Sequence, residues 1–267
     1  MSPRDTLQDI VRKMHFPTDQ QGIMNRYLRE AHNWQSHLYN ARQYIIEFAD
    51  SLQGKEKLVV FGSGWLLDFP LEELSERFQQ ITLVDVHHPA QVQHKIQNKF
   101  TNVSLLEADI TGNGILLSHD FARNYSGKKP DGMFTPDITP VLNILKKEHS
   151  SFDTSAVSLN ILSQLDAFIL DYLRKYCVPE ENQIVKLRHT IQSQHIQLLQ
   201  YFSPSCLITD VTEIRYPRKE DNVVKIPSLA IDLSEGSAVR EWTWIFDTTG
   251  SYIPGYNVHL DMKAMII

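Results

Sequence analysis

Residues 57–109 alternate short apolar runs with helix-like segments, and no other feature of the chain constrains its fold as strongly. The apolar runs, which are rich in β-branched residues, occupy 57–61, 81–86 and 102–109. Segments with apolar residues at helical spacing lie between them at 70–79 and 89–99. Strands joined through helices in this way pair in parallel by right-handed crossovers. The pattern therefore predicts an α/β fold with a doubly wound sheet.

The C-terminal half extends the predicted sheet and changes its character. Further strands are expected at 155–162, 206–217, 241–246 and 257–267, with long helices at about 166–176 and 180–202. Residues 111–150 are rich in Gly and Pro, which predicts loop with one or two short helices. The last two strands are joined by DTTGSYIPGY, a connection typical of a hairpin. We therefore expect a seven-stranded, mostly parallel sheet that ends in an antiparallel hairpin.

The chain begins with two predicted helices, at 5–15 and 19–52. An apolar stripe that includes Trp34 follows one side of the second helix and needs a surface to cover. We therefore predict an N-terminal helical cap over residues 1–54 and a Rossmann-like domain over 55–267. The cap is expected to cross the carboxyl end of the sheet and to place Trp34, His37 and Tyr39 in a cleft.

Composition limits the classes of function. Of the 267 residues, 42% are hydrophobic and 22% charged, and the net charge of −6 argues against nucleic acid as a partner. Apolar runs stay far below the roughly 20 residues that span a bilayer, and the first sixteen residues lack the apolar core of a signal peptide. Cys177 and Cys206 are predicted to be free, buried thiols in a reducing cytosol, which favours a cytoplasmic protein. The oligomeric state is left open.

Candidate ligand-binding residues stand at the predicted strand ends. Gly62, Ser63 and Gly64 follow the first strand, where glycine lets backbone approach a ligand closely at the start of a helix. Asp85 ends the second strand and Asp109 ends the third. The segment SLNILSQLD, residues 158–166, occupies the end of the fourth strand and carries Asn160 and Gln164. Doubly wound sheets bind their ligands at these carboxyl ends.

These features resemble the class I S-adenosylmethionine-dependent methyltransferase family over roughly residues 57–267. The resemblance implies S-adenosylmethionine as the cofactor, a carboxylate at Asp85 for the ribose hydroxyls and one at Asp109 for the adenine amine. The methyl acceptor, whether small molecule or macromolecule, is undetermined. The implied cofactor-binding residues are Gly62, Ser63, Gly64, Trp65, Asp68, Asp85, Val86, Asp109, Ile110 and Asn160. The implied substrate-binding residues are Trp34, His37, Tyr39 and Gln164.

The chain departs from the family pattern at several positions. Val60 replaces an acidic residue two positions before the first glycine, and Leu66 replaces the third glycine. Trp65 either walls the cofactor pocket or plugs it. A long loop at 65–69, with a helix that starts near Pro70, would accommodate these changes. Asp68 in that loop could then meet the cofactor's ammonium group in place of the missing acid.

Purely local roles and other functions stay open at this stage. Asp85 could cap the following helix, and Asp109 could cap a turn through Thr111. A nicotinamide-dependent oxidoreductase is one alternative, since Asp85 lies 23 residues beyond Gly62, although position 67 of a GxGxxG motif is Leu67. A non-catalytic binding module of the same fold is another. No metal site is expected, because His87 and His88 at a strand end point to opposite faces.

Overall fold

The computed structural model describes residues 5–125, 127, 132–219, 222–233 and 236–267, so residues 126 and 128–131 of the predicted loop lie outside it. Two helices precede the sheet, close to the predicted bounds. They are α1 (Leu7–Lys13) and α2 (Phe16–Ser51). Thr6 caps α1 by accepting a hydrogen bond from the Asp9 N–H, and Pro17 lies in the first turn of α2, where no N–H is needed.

The remaining elements follow the predicted order. The strands are β1 (Lys57–Phe61), β2 (Gln80–Asp85), β3 (Val103–Glu107), β4 (Thr154–Leu159), β5 (Ser205–Pro217), β6 (Val224–Pro227), β7 (Ser237–Asp247) and β8 (Tyr256–Ile266). The helices are α3 (Leu71–Ser75), α4 (Ala90–Lys99), α5 (Gly114–Arg123), α6 (Thr139–Leu145), α7 (Ala167–Tyr176) and α8 (Glu181–Tyr201). Each of the described helices is either too short or too polar to span a membrane.

The strands form one sheet in the order β3-β2-β1-β4-β5-β8-β7. Strands β1 to β5 are parallel, whereas β8 is antiparallel to both β5 and β7. The predicted fold class, a doubly wound, mostly parallel sheet with an antiparallel C-terminal hairpin, is confirmed. The sequence analysis missed the short strand β6, which pairs with β5 beside the main path, so the residues that the structure describes form eight strands where seven were predicted.

Two hydrophobic cores cover the two faces of the sheet. Along β1, Leu58 and Val60 face the core formed with α2, α3 and α4, whereas Val59 and Phe61 face the core formed with α1 and α5 to α8. This alternation follows from the period of two in a strand. A sheet buried on both faces needs apolar residues on both, which is why β1 reads as an unbroken apolar run.

Helix α2 is the longest element, with 36 residues that span about 54 Å. Its C-terminal half packs on the sheet through a buried stripe that includes Ala41, Ile45 and Phe48. Its N-terminal half extends beyond that core toward the end of β2, where Gln20 donates a hydrogen bond to the His87 carbonyl over 2.9 Å. The same helix therefore stabilises the sheet and reaches its carboxyl edge.

Candidate functional site

The strand order reverses at β1, which lies between β2 and β4. In doubly wound sheets this reversal leaves a crevice at the carboxyl ends of the strands, and ligands bind there. The residues that follow the four neighbouring strands in this chain are the candidates from the sequence. They are Gly62 to Gly64 after β1, Asp85 at the end of β2, Asp109 after β3 and Asn160 after β4.

The two glycines after β1 differ in the space that a side chain would have. Gly62 has φ +78°, and a Cβ there would meet Ile161 Cβ at 2.7 Å and the Leu159 oxygen at 2.8 Å. Gly64 has φ +44°, and the nearest atom to a Cβ there is the Gly62 oxygen at 4.0 Å. Gly62 is therefore required by the packing of β1 against the end of β4, whereas Gly64 has open space beside its backbone.

Leu66 occupies the position of the missing third glycine and keeps a glycine-like backbone. Its φ is +58°, in the left-handed region that costs an ordinary L residue roughly 1–2 kcal/mol. Its N–H donates to the Ser63 carbonyl over 2.9 Å, and its side chain is buried against the α2 core. The turn survives the substitution because burial of the leucine offsets the strain. The helix that follows begins at Leu71, so residues 65–69 form the long loop that the sequence predicts.

Asp85 joins the end of β2 to this loop. Its Oδ2 accepts the Gly64 N–H at 2.8 Å, and its Oδ1 accepts the Val86 N–H at 2.8 Å and faces Gln20 Nε2 at 3.4 Å. Burial raises the pKa of this carboxyl group, and the bond from the Gly64 N–H opposes that effect. Helix α4 has no side-chain cap, so Asp85 does not cap it.

Asp109, by contrast, is bonded within its own turn. Its Oδ1 accepts both the N–H and the hydroxyl of Thr111, and its Oδ2 accepts the Ile115 N–H at 3.2 Å in the first turn of α5. Burial raises its pKa, and the bonds from Thr111 oppose that shift. The local role weighed from the sequence is therefore present. Adjacent Ile110 is buried in the core on the same face as α5.

A compact polar cluster lies between the loop, the end of β4 and α2; we call its members His37, Asp68, Asn160 and Trp242 the His37 cluster. Asn160 Nδ2 lies 2.5 Å from Asp68 Oδ2 and 3.2 Å from His37 Nε2. The Trp242 indole N–H donates to His37 Nδ1 over 3.2 Å. Because an indole N–H can only donate, His37 Nδ1 is the acceptor in this bond, and His37 Nε2 lies 3.9 Å from Asp68 Oδ2.

His37 is the buried member of the cluster, whereas Asp68, Asn160 and Trp242 are half-buried, and one acceptor of the cluster is unused. The His37 ring is completely buried and stacks on Trp244 at 3.8 Å, so burial lowers its pKa although Asp68 opposes the shift. Asn160 has φ +51°, a left-handed conformation that Asn tolerates. Its Oδ1 is buried and has no hydrogen-bond partner within the described part of the chain. Gln164 Nε2 donates to the Asn160 carbonyl over 2.7 Å, which holds this turn.

The N-terminal half of α2 contacts the loop that follows the two glycines. The Trp65 indole N–H donates to the Gln20 carbonyl over 2.8 Å, so its ring turns toward the helix. Trp34 is buried and donates to the Phe246 carbonyl, two positions from the turn after β7. Tyr39 is 65% exposed, since two residues along a helix turn it about 200° away from His37. The structure therefore does not bring Tyr39 to the cleft.

Other residues near the site have structural neighbours of their own. Ser63 is buried with its hydroxyl 3.5 Å from His88 Nδ1, and the Val86 carbonyl accepts a hydrogen bond from Gln8 of α1. Sequence reasoning missed Gln20, for which no local pattern exists. It also missed Trp242 and Trp244, although their i, i+2 spacing on a strand places them on one face. Among the described residues, no three His, Cys, Asp or Glu side chains are grouped to hold a metal ion.

A buried histidine behind β4 gives the protein a predicted sensitivity to acid. His195 Nε2 lies 2.8 Å from Ser158 Oγ, and burial lowers its pKa from 6.5 to about 3. As the pH falls below the unfolded value, the unfolded chain binds a proton there that the folded chain does not, so stability is lost. Between pH 6.5 and 5.5 we expect the free energy of unfolding to fall by about 1 kcal/mol from this residue.

Urea unfolding of the parent and of His195→Gln at these two pH values measures this contribution. Glutamine keeps a polar group near Ser158 and does not titrate, so the pH dependence should be smaller in the variant. If the free energy of unfolding falls equally in the two proteins, His195 is not the source of the pH dependence.

Comparisons with known proteins leave the function open. No protein-family model and no curated protein matches the chain. Among solved structures it is similar to Burkholderia thailandensis 1,6-didemethyltoxoflavin-N1-methyltransferase, at 9% identity and a TM-score of 0.41 over 100% of this chain and 92% of that one. It is also similar to the 23S rRNA methyltransferase ErmE, at 12% identity and a TM-score of 0.26 over 64% of this chain and 46% of that one. A third similar structure is the Methanobacterium thermoautotrophicum precorrin 8W decarboxylase, at 13% identity and a TM-score of 0.29 over 85% of this chain and 90% of that one. With TM-scores below 0.5, these likenesses assign neither substrate nor chemistry to this chain.

Proposed function

We propose that this protein is an S-adenosylmethionine-dependent methyltransferase. The observation that carries the proposal is the bond of 2.8 Å from the Gly64 N–H to Asp85 Oδ2, beside the reversal of strand order. It places a carboxylate against a glycine backbone with open space beside it. A ligand that carries vicinal hydroxyls and needs close backbone approach fits this pair.

The residues present fit this cofactor at both of its ends. A carboxylate has about four lone-pair positions, so Asp85 has acceptor capacity beyond its two backbone bonds for ribose hydroxyls. At the other side of the loop, Asp68 and the unpartnered Oδ1 of Asn160 are two acceptors for the N–H groups of an ammonium. Asp68 then serves in place of the acid that the family has at Val60. We propose Asp109 and Ile110 for the adenine side, because Asp109 keeps acceptor capacity beyond its bonds from Thr111 and Ile115.

The His37 cluster would position these groups. The Trp242 indole N–H donates to His37 Nδ1, and this bond holds the imidazole ring beside Asn160 and Asp68. Gln164 fixes the backbone turn that presents Asn160. When bound, the cofactor would supply an activated methyl group for transfer to the acceptor. The protein contributes geometry and exclusion of water by α2, Trp34 and Trp65.

Thermal unfolding with four ligands tests the proposal. A ligand at 100 times its Kd that binds only the folded chain stabilises it by about 2.7 kcal/mol. In a protein of this size that raises the Tm by roughly 5–10 °C. We expect S-adenosylmethionine and S-adenosylhomocysteine to do so, and NAD and NADP to leave the Tm unchanged.

The other outcomes decide between the remaining functions. A rise with NAD or NADP alone would replace the proposal with a nicotinamide-dependent oxidoreductase. No rise with any of the four at millimolar concentration would favour a non-catalytic module, in which the contacts of Gln20 and Trp65 keep the loop closed.

A further inference from the structure

A cavity of about 350 Å³ lies between α1, α5 and α7, and none of its residues belongs to the glycine loop or the His37 cluster. Its size is within the range of small-molecule sites. It is lined by Lys13, His119, Ala122, Arg123, Tyr172 and Tyr176. The combination of cations with aromatic rings is that of a site for an anionic aromatic ligand.

The two cations share one internal carboxylate. Lys13 Nζ lies 2.7 Å from Asp5 Oδ2, and Arg123 Nη1 lies 3.6 Å from the same oxygen. Both cationic side chains are more than half exposed, so they are open to solvent on the side away from Asp5. Asp5 is therefore a single negative charge that the two cations of the lining share, although it does not line the cavity itself.

The rest of the lining is largely aromatic and, within the described part of the chain, contains a buried polar atom that makes no hydrogen bond. His119 is 4% exposed, and the centroid of its ring lies 6.2 Å from that of Tyr172. The ring centroids of Tyr172 and Tyr176 are 4.8 Å apart. His119 Nδ1 is buried and has no hydrogen-bond partner among the described residues, although Asp120 Oδ1 lies 3.8 Å from it. Buried polar atoms in proteins are nearly always satisfied. An unsatisfied one in the wall of a cavity therefore marks a position that a ligand could complete.

We propose that this cavity binds the phosphate monoester of an aromatic alcohol. The phosphate would displace Asp5 and lie between Lys13 and Arg123, while the ring packs against Tyr172. A phosphate monoester carries about −1.5 to −2 charge at pH 7. This charge matches that of Lys13 and Arg123 once Asp5 is displaced. Its oxygens also suit the planar fork of Arg123. The inference does not depend on the proposed methyltransferase function.

Calorimetric titration with phenyl phosphate tests the site, with inorganic phosphate and benzyl alcohol as half-ligands. Phenyl phosphate is expected to bind at least tenfold more tightly than either half-ligand, because only it meets both the cations and the rings. Arg123→Gln should weaken phenyl phosphate at least tenfold, and Asp5→Asn should tighten it severalfold because the internal competitor loses its charge.

Lys186→Gln, an exposed charge removal on α8 outside the cavity, is the matched control and should leave the affinity unchanged. The proposal is overturned if inorganic phosphate binds as tightly as phenyl phosphate. It is also overturned if Asp5→Asn and Arg123→Gln, each shown to melt like the parent, bind phenyl phosphate as the parent does.

Discussion

Replacing Gly62 by alanine is expected to destabilise the protein by about 2–5 kcal/mol, whereas the same change at Gly64 should cost about 1 kcal/mol and mainly remove cofactor binding. Gly62 has positive φ, and its Cβ would lie 2.7–2.8 Å from atoms of Ile161 and Leu159. Strain and overpacking therefore add together. At Gly64 a Cβ meets open space, so only the backbone conformation is strained, but the methyl group occupies the room where a ligand must approach.

Urea unfolding and calorimetry with S-adenosylhomocysteine separate the two effects. Gly22→Ala is the matched control, since Gly22 lies within α2 with nothing near its Cβ position. There alanine should stabilise the helix by about 0.5–1 kcal/mol. If Gly64→Ala is folded and binds S-adenosylhomocysteine like the parent, the loop is a turn and does not hold a cofactor. If Gly62→Ala is as stable as Gly64→Ala, packing against the end of β4 does not explain the first glycine.

Much of the fold could be predicted because its signals are local. The bounds of β1 and β2 follow from apolar runs that end at Gly62 and Asp85. Helix α4 begins directly after Pro89, as the sequence indicates. Strand β6 could not be predicted from VKIP alone. Strand β6 is largely exposed. It forms because β5 extends beyond its pairing with β4, which leaves an edge of β5 free for β6 to pair with.

The site was predictable only where it depends on neighbouring residues in sequence. The glycine loop and Asp85 stand at strand ends, and parallel strands bring such ends to one edge. The His37 cluster depends instead on contacts across 92 to 205 positions of the chain, which no spacing rule contains. The bonds of Asp109 to Thr111 and Ile115 show the reverse case, in which a strand-end acid is engaged by its own turn.

Asp85→Asn is expected to weaken S-adenosylmethionine and S-adenosylhomocysteine binding about 10- to 100-fold, equivalent to roughly 1–3 kcal/mol. The carboxylate accepts the Gly64 N–H on one oxygen and the Val86 N–H on the other. An asparagine has one acceptor oxygen, so its NH₂ group must face one of these donors. The variant therefore loses both the charge that ribose hydroxyls would meet and one of the bonds that hold the loop to β2.

Glu107→Gln is the control for this substitution, because it removes a negative charge at the same edge of the sheet. Glu107 ends β3, and Glu107 Oε1 lies 3.6 Å from His87 Nδ1 and 3.3 Å from the His88 N–H, without contact to the glycine loop among the described hydrogen bonds. Its affinity for S-adenosylhomocysteine should stay within about twofold of the parent's. Burial raises the Asp85 pKa, so loss of its charge relieves a desolvation cost that offsets part of the bond lost between the loop and β2. Parent-like affinity in a folded Asp85→Asn protein would remove Asp85 from the cofactor site, because a charge-assisted acceptor of ribose hydroxyls cannot be lost without cost.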